Sequence, residues 1–378
     1  MQSARNLLAR KFSRRAFVGG LAATAGASVV GLSLARAPRP GVLTSGLTLA
    51  QSTASVTAPV GCPHAGGPDL RHFAWVWQFS HDGDPFPVAA RLAANGMAAA
   101  VKTHDGTDWM ATYDQSESAI DGPAGVTRVS QYFESMGTPF HAWTVVNGLD
   151  PLREAVMGAE VLRSGARSLI IDLEHGDGFY YGDAQAALTY GAELRRLQPD
   201  AKIYLSIDPR PWRASMIPLA EFASFSDGIM PQVYWETFNS SGNISGYEAA
   251  GYPAATVGIT PELVLDATAD LLAPYGLPIM PTGQGDASSI EGWQRFTAHA
   301  RSKDMNLVST WRYGVTHPEV FPLLKATPPE HESYVLTDGE SVSGLAERWA
   351  VSVDELVVAN GVADPLQVQP GQAICRPV

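Results

Sequence analysis

The chain has 378 residues, 45% of them hydrophobic and 17% charged, enough to bury a large core with room for a second, small domain, which excludes a disordered chain. The 26 basic and 38 acidic side chains give a net charge of −12, and seven of the basic ones (Arg5, Arg10, Lys11, Arg14, Arg15, Arg36 and Arg39) lie before residue 50, where no acid occurs. Without that segment the balance is 19 basic against 38 acidic, or −19, which argues against nucleic acid or an anionic membrane as partner, since both need a dense basic footprint.

The basic cluster precedes an apolar, small-residue run from Phe17 to Leu34, with Ser13-Arg14-Arg15-Ala16-Phe17-Val18 at its start. This segment resembles a twin-arginine export signal. Gly19, Gly20, Gly26 and Gly31 make the run milder than the ~20 strongly apolar residues of a membrane span. The resemblance implies a signal peptide over residues 1–50, cut after Ala50 in preference to Ala37, which Pro38 follows, and a protein that is secreted or held in the cell envelope; an uncleaved membrane anchor is the alternative. It also implies folding in a reducing compartment before export, hence a fold that does not depend on a bridge between Cys62 and Cys375. Cys375 reads instead as a small apolar residue of the last strand. Residues 51–69, rich in Ser, Thr, Ala, Pro and Gly, read as a linker.

From residue 70 to residue 326 short apolar runs alternate with helical patterns. The runs are Phe73 to Phe79, Ala98 to Lys102, Phe140 to Val146, Ser168 to Leu173, Lys202 to Ile207, Gly228 to Trp235, Leu277 to Pro281 and Asn306 to Trp311. Asp183 is placed to cap a helix whose stripe is Ala186, Ala187, Tyr190, Leu194 and Leu197, and Asp150-Pro151 opens another through Leu152, Val156, Ala159 and Leu162. Eight such strand and helix units predict an α/β fold, a (β/α)8 TIM barrel, with an open doubly wound sheet as the competitor. The barrel is preferred because no glycine-rich phosphate turn follows the first strand. Polar or aromatic residues also recur at nearly every strand end, where a barrel gathers its chemistry: His81 and Asp82, Lys102 and His104, Asn147, Asp172 and Glu174, Asp208, Gln232, Tyr234 and Glu236, Gln284, and Trp311 to Tyr313.

The most informative stretch is Leu169-Ile170-Ile171-Asp172-Leu173-Glu174. Side chains two apart on a strand share a face, so Asp172 and Glu174 point together, ~6.6 Å apart at their Cα atoms. Two carboxylates on one site repel, which tends to keep one protonated beside an anion, the arrangement glycosidic cleavage uses. That spacing falls between the separations of retaining and inverting enzymes, so stereochemistry stays open. The bland alternative is that Asp172 caps the following turn and Glu174 is merely solvated.

The Asp-x-Glu at the end of the fourth strand resembles family-25 lysozymes and the family-18 chitinase and glucosaminidase barrels. The resemblance implies that Glu174 is the general acid and that Asp172 orients the substrate acetamido group or stabilises the charged intermediate. Met230-Pro231-Gln232-Val233-Tyr234-Trp235 resembles the sixth-strand segment of such barrels, implying that Gln232 and Tyr234 contact the sugar. Asp208 at the end of the fifth strand, and Trp235 and Trp311 among the eight barrel tryptophans, complete the expected substrate-binding set, the indoles as stacking faces for sugar rings. No cofactor or metal is expected. His81, Asp82, Asp84, His104, Asp105 and His175 leave open a metal-dependent polysaccharide deacetylase, although no dense ligand spacing is present.

Thr327-Pro328-Pro329-Glu330-His331-Glu332-Ser333 reads as a second linker, and residues 334–378 as a small βααβ domain. In it a strand at Tyr334 to Leu336 is followed by a turn at Asp338-Gly339. A helix buries Val342, Leu345, Ala346 and Trp349, and a second, capped by Ser352, buries Leu356 and Val357. A strand then returns after Pro370-Gly371. This tail resembles LysM over its whole length. The resemblance implies binding of a polymer containing N-acetylglucosamine, such as peptidoglycan or chitin, in a groove formed by Gly339, Glu340 and Ser341 with Val362 and Leu366. The expectation is an exported glycoside hydrolase acting on β-1,4 links of such a polymer; the competing expectation is a barrel that only binds glycan.

Overall fold

Apolar runs without polar alternation form strands where both faces are covered, and eight of them do so here. The computed structural model describes residues 71–325 and, in the tail, 333–337, 339–360, 365–368 and 373–376; the expected export signal, the expected first linker and residues 327–332 of the second lie outside them. The strands are β1 (Phe73–Val76), β2 (Ala98–Asp105), β3 (Phe140–Val145), β4 (Ser168–Leu173), β5 (Lys202–Ile207), β6 (Gly228–Val233), β7 (Thr282–Gln284) and β8 (Ser309–Trp311). All pair in parallel with their neighbours, and β1 pairs with both β2, Phe73 opposite Ala98, and β8, Phe73 opposite Ser309. The sheet is thereby closed into the expected (β/α)8 TIM barrel.

Strand alternation sorts the barrel into two cores. Phe73, Trp75, Trp143, Ile170, Tyr204 and Met230 fill the lumen, with Ala98 and Ala100 leaving space for the two indoles. Ala74, Val76, Leu169, Ile171, Leu205 and Ile229 point outward against the helices. These are α1 (Pro85–Ala94), α2 (Pro123–Ser135), α3 (Pro151–Arg163), α4 (Ala184–Leu197), α5 (Leu219–Ala223), α6 (Pro261–Leu272), α7 (Ile290–Ser302) and α8 (Val320–Leu323), one after each strand. Asp150 and Asp183 cap α3 and α4 as expected, accepting from Arg153 N at 3.3 Å and Ala186 N at 2.8 Å. In α4, Gly191 lies so close to the Phe225 ring that a methyl group there would run into it.

Several strand boundaries differ from expectation, β2 running on to Asp105 and β8 starting only at Ser309 among them. β1 stops at Val76 because Asp114 takes the N–H groups of Phe79, at 2.7 Å, and Ser80, at 3.1 Å, into a helical turn. β6 stops at Val233, leaving Tyr234 and Trp235 in the following loop. β7 begins at Thr282 rather than Leu277, since Pro278 and Pro281 have no N–H for the ladder; only an isolated bridge from Ile279 to Ile229 precedes it.

In the tail, β9 (Ser333–Val335) pairs antiparallel with β10 (Ala373–Cys375), around α9 (Val342–Trp349) and α10 (Val353–Ala359). Leu336, Val342, Leu345, Trp349, Leu356 and Ile374 form its core. Ser352 Oγ accepts from Glu355 N at 3.1 Å while the Glu355 carboxylate takes Ser352 N at 2.8 Å, a reciprocal cap at the start of α10.

Candidate active site

β4 carries Asp172 to the carboxyl end of the barrel, 4% exposed, with Glu174 one residue beyond the strand. Asp172 lies opposite Ser206 of β5, and Ser206 opposite Met230 of β6, so Gln232, two residues on, reaches across the same mouth. Its Nε2 donates to Asp172 Oδ1 at 3.0 Å and to Glu174 Oε1 at 2.9 Å, with Ser206 Oγ at 3.2 Å. An amide nitrogen has two hydrogens, and two carboxylate oxygens are the strongest acceptors for them. Two bonds to one nitrogen also hold those oxygens within about 6 Å of each other. Beneath the mouth Trp311 meets Trp75 edge-on at 5.9 Å and Trp143 at 5.5 Å. The indole N–H groups of Trp75 and Trp143 are spent on Ser309 Oγ and Val76 O, both at 2.9 Å, leaving an apolar floor.

Charges frame this floor. Lys102, 2% exposed, bonds Asp105 at 2.7 Å and stands 4.8 Å from the centre of the Trp143 ring. Burial, seconded by the Lys102 charge, pushes the neighbouring His104 down to about 3, so it is a neutral ring, with Nδ1 2.8 Å from Thr103 Oγ1. Asp208 is gripped by Arg210, Nε to Oδ1 at 2.9 Å and Nη2 to Oδ2, with Arg213 at 3.7 Å. Burial opposes the Arg210 charge, but hydrogen bonds and charge from Asp208, with smaller help from Tyr247 and Glu174, hold its proton affinity above the usual value. Across the mouth, burial and the charge of Glu236 raise Asp286 above the usual carboxylate value, against its own backbone N–H and Arg312.

The structure brings Asp172, Glu174 and Gln232 together, sets Trp311 against Trp75 and Trp143, and places the other expected residues differently. Trp235 is a correction: at 4% exposure it packs outside the barrel between Trp293 and Phe296 of α7, at 5.9 and 5.5 Å, in the loop beyond β6. Tyr234 is half-buried and leans on Phe238 at 5.8 Å. Asp208 is committed to its arginines rather than open to a sugar hydroxyl. His81 stacks on Trp77 at 5.1 Å, and Asp82 takes Trp77 N, Gly314 N and Arg312, tying the β1 loop to the β8 loop. Among the described residues no three His, Cys, Asp or Glu side chains are grouped to hold a metal ion. Sequence reasoning missed Ser206, Arg210 and Arg213. The two arginines follow β5 in Asp208-Pro209-Arg210-Pro211-Trp212-Arg213, a cationic loop legible as such at a strand end.

In the tail, Gly339 sits at φ +84°, as the turn requires. Glu340 accepts from Thr337 N at 2.9 Å, Thr337 Oγ1 at 2.7 Å, Arg348 Nη2 at 2.6 Å and Tyr334 Oη at 2.8 Å, which brings its carboxyl down to about 2. Ser341 caps α9, accepting from Gly344 N at 3.2 Å. Leu366 is 90% exposed. Val362 lies outside the described residues.

Residues 334–377 match the family model for the LysM domain. No curated protein sequence matches the chain. Among solved structures it is similar to active domain 2 of the chitinase from Pyrococcus furiosus, with 13% identity and a TM-score of 0.48 over 70% of this chain and 96% of that one. It is also similar to the spore cortex-lytic enzyme SleL of Bacillus megaterium QM B1551, with 8% identity and a TM-score of 0.42 over 68% of this chain and 73% of that one. These are likenesses of backbone, and no residue role passes from them. The chain thus joins a (β/α)8 TIM barrel to a C-terminal LysM domain, a module that binds glycans containing N-acetylglucosamine, such as peptidoglycan and chitin.

Proposed function

We propose that the barrel is a glycoside hydrolase that cleaves β-1,4 links beside an N-acetyl sugar, and that the LysM domain holds it on the polymer. Glu174 acts as general acid, delivering its proton to the leaving glycosidic oxygen. Asp172 holds the acetamido group or the positive charge that develops at the sugar carbon, and the Trp311 edge of the aromatic floor carries the ring. The observation that carries this reading is the Gln232 amide shared by Asp172 and Glu174, which keeps two mutually repelling groups aimed at one point. An acetamido oxygen held by Asp172 can attack the sugar carbon as the leaving oxygen takes the Glu174 proton, and water then opens that adduct with return of a proton to Glu174, two inversions that leave the product its anomeric configuration. Residues 1–50 serve as a twin-arginine signal, giving a secreted or envelope protein. Among the described residues no helix is long and apolar enough to cross a membrane.

The test is release of reducing ends from chitin and from peptidoglycan. Glu174→Gln is expected to lower the rate by about 100-fold or more, and product NMR of the wild type to show the β anomer first. Activity unchanged by Glu174→Gln would remove the acid assignment. A wild type inactive on both polymers leaves a barrel that only binds.

A further inference from the structure

Beside the carboxylate pair, a narrow cleft open to solvent lies between the ends of β4 and β5, lined by Leu173, Glu174, His175, Asp208, Arg213 and Ile217. Its wall holds the carboxyl groups of Glu174 and Asp208 and the guanidinium of Arg213, with Arg210 bonded to Asp208 behind it. Arg210 covers both Asp208 oxygens, with Nε at 2.9 Å from Oδ1 and 3.1 Å from Oδ2, Nη2 on Oδ2, and the Arg210 backbone N–H on Oδ1 at 3.1 Å. A carboxylate offers about four acceptor positions, and Arg210 takes them. Arg213 Nε stays 3.7 Å from Oδ2, beyond hydrogen-bond reach, with its side chain 42% exposed. The Asp208, Arg210 and Arg213 group thus carries one positive charge in excess. The acid that shares the cleft with it is Glu174, which the proposed mechanism uses in its protonated, neutral form.

We propose that this cleft is a subsite for a carboxylate borne by the substrate and read by Arg213, so that the preferred glycan is an acidic N-acetylated polymer rather than a neutral one. The inference rests on the hydrolase reading for its placement beside the scissile bond. A neutral sugar would cover a guanidinium without replacing its hydration, whereas a carboxylate pairs with its planar fork in two parallel bonds. The carboxylate can sit on a lactyl ether at C3, as in peptidoglycan strands, or at C6 of a uronic acid.

The experiment measures binding calorimetrically in the full chain carrying Glu174→Gln, so that glycan is not turned over, with Arg213 intact or changed to Gln or Lys. The probes are peptide-free peptidoglycan strands with free lactyl carboxylates, the same strands with those carboxyls reduced to alcohols, and an N-acetylated polymer with alternating uronates. The LysM domain is common to all variants, so differences between them belong to the barrel. R213Q is expected to weaken binding of an acidic probe by about tenfold and leave the reduced strands unaffected, with R213K in between. The acidic probe that loses more identifies the position of the carboxylate. Equal loss on acidic and reduced strands, or no loss on any probe, overturns the proposal. A wild type that hydrolyses nothing while the R213Q effect stands removes the hydrolase reading and keeps the subsite; hydrolysis of acidic and reduced strands alike with no R213Q effect does the reverse.

Discussion

Gln232 in the barrel and Glu340 in the tail solve the same problem, and both do it with short polar contacts. Gln232 offers two hydrogens to two carboxylates. Glu340 offers one carboxylate to donors on Thr337, Tyr334 and Arg348. A carboxyl held at about 2, from an ordinary 4.5, supports the folded state most above pH 4.5 and loses that support as pH falls toward 2. Thermal melts of wild type and Glu340→Gln should therefore differ at pH 6 and converge as the pH approaches 2; a constant difference would show that the carboxylate charge is not what holds the turn. The same contacts change how the tail is read. The sequence suggested Glu340 and Ser341 as sugar ligands, yet both side chains hold the turn itself. Gln232 was legible because a strand end in a barrel points at the mouth. The arginine grip on Asp208 was not, because only a folded loop shows which cation reaches it.

At the level of elements, caps and strand rhythm were the readable part. Asp150 and Asp183 each begin a helix where a short acceptor side chain precedes a 3.6-residue stripe, and each of the eight runs supplied or adjoined a barrel strand. Composition could not say where a strand would stop when the deciding group was remote, as with Asp114 and the end of β1. Trp235 shows the cost of one misplaced boundary. Counted as the strand's final residue it looked like a glycan platform, but it lies two residues past the strand, in a loop that turns it under α7 against Trp293 and Phe296. Trp235→Ala should destabilise the folded chain by about 3–5 kcal/mol, the usual loss for a buried indole, while Trp311→Ala should chiefly raise KM for glycan. Denaturant titration beside steady-state kinetics separates the two; a KM effect from Trp235→Ala with stability intact would restore it to the site.

For the whole molecule, the proposed function divides address from reaction between the two domains. A LysM domain on a solid polymer raises the local concentration of substrate for whatever site is tethered to it, an effect absent for soluble fragments. Leu366→Asp should accordingly lower the ratio of rates on insoluble polymer to rates on short soluble oligosaccharides, measured side by side; an unchanged ratio would take Leu366 out of the binding face.

The ring of strands has one more consequence, for synthesis. His72 at the threshold of β1 touches Val308 beside β8, 236 residues later, so nothing joins the first strand to the last until almost the whole barrel has been made. Until then the growing sheet presents two bare edges, at β1 and at whichever strand came last, and each can pair with another chain. On the proposed twin-arginine route, which carries chains already folded, departure can follow only after β8 arrives. Closure of the ring is thus the last event that protects the nascent protein from its own neighbours.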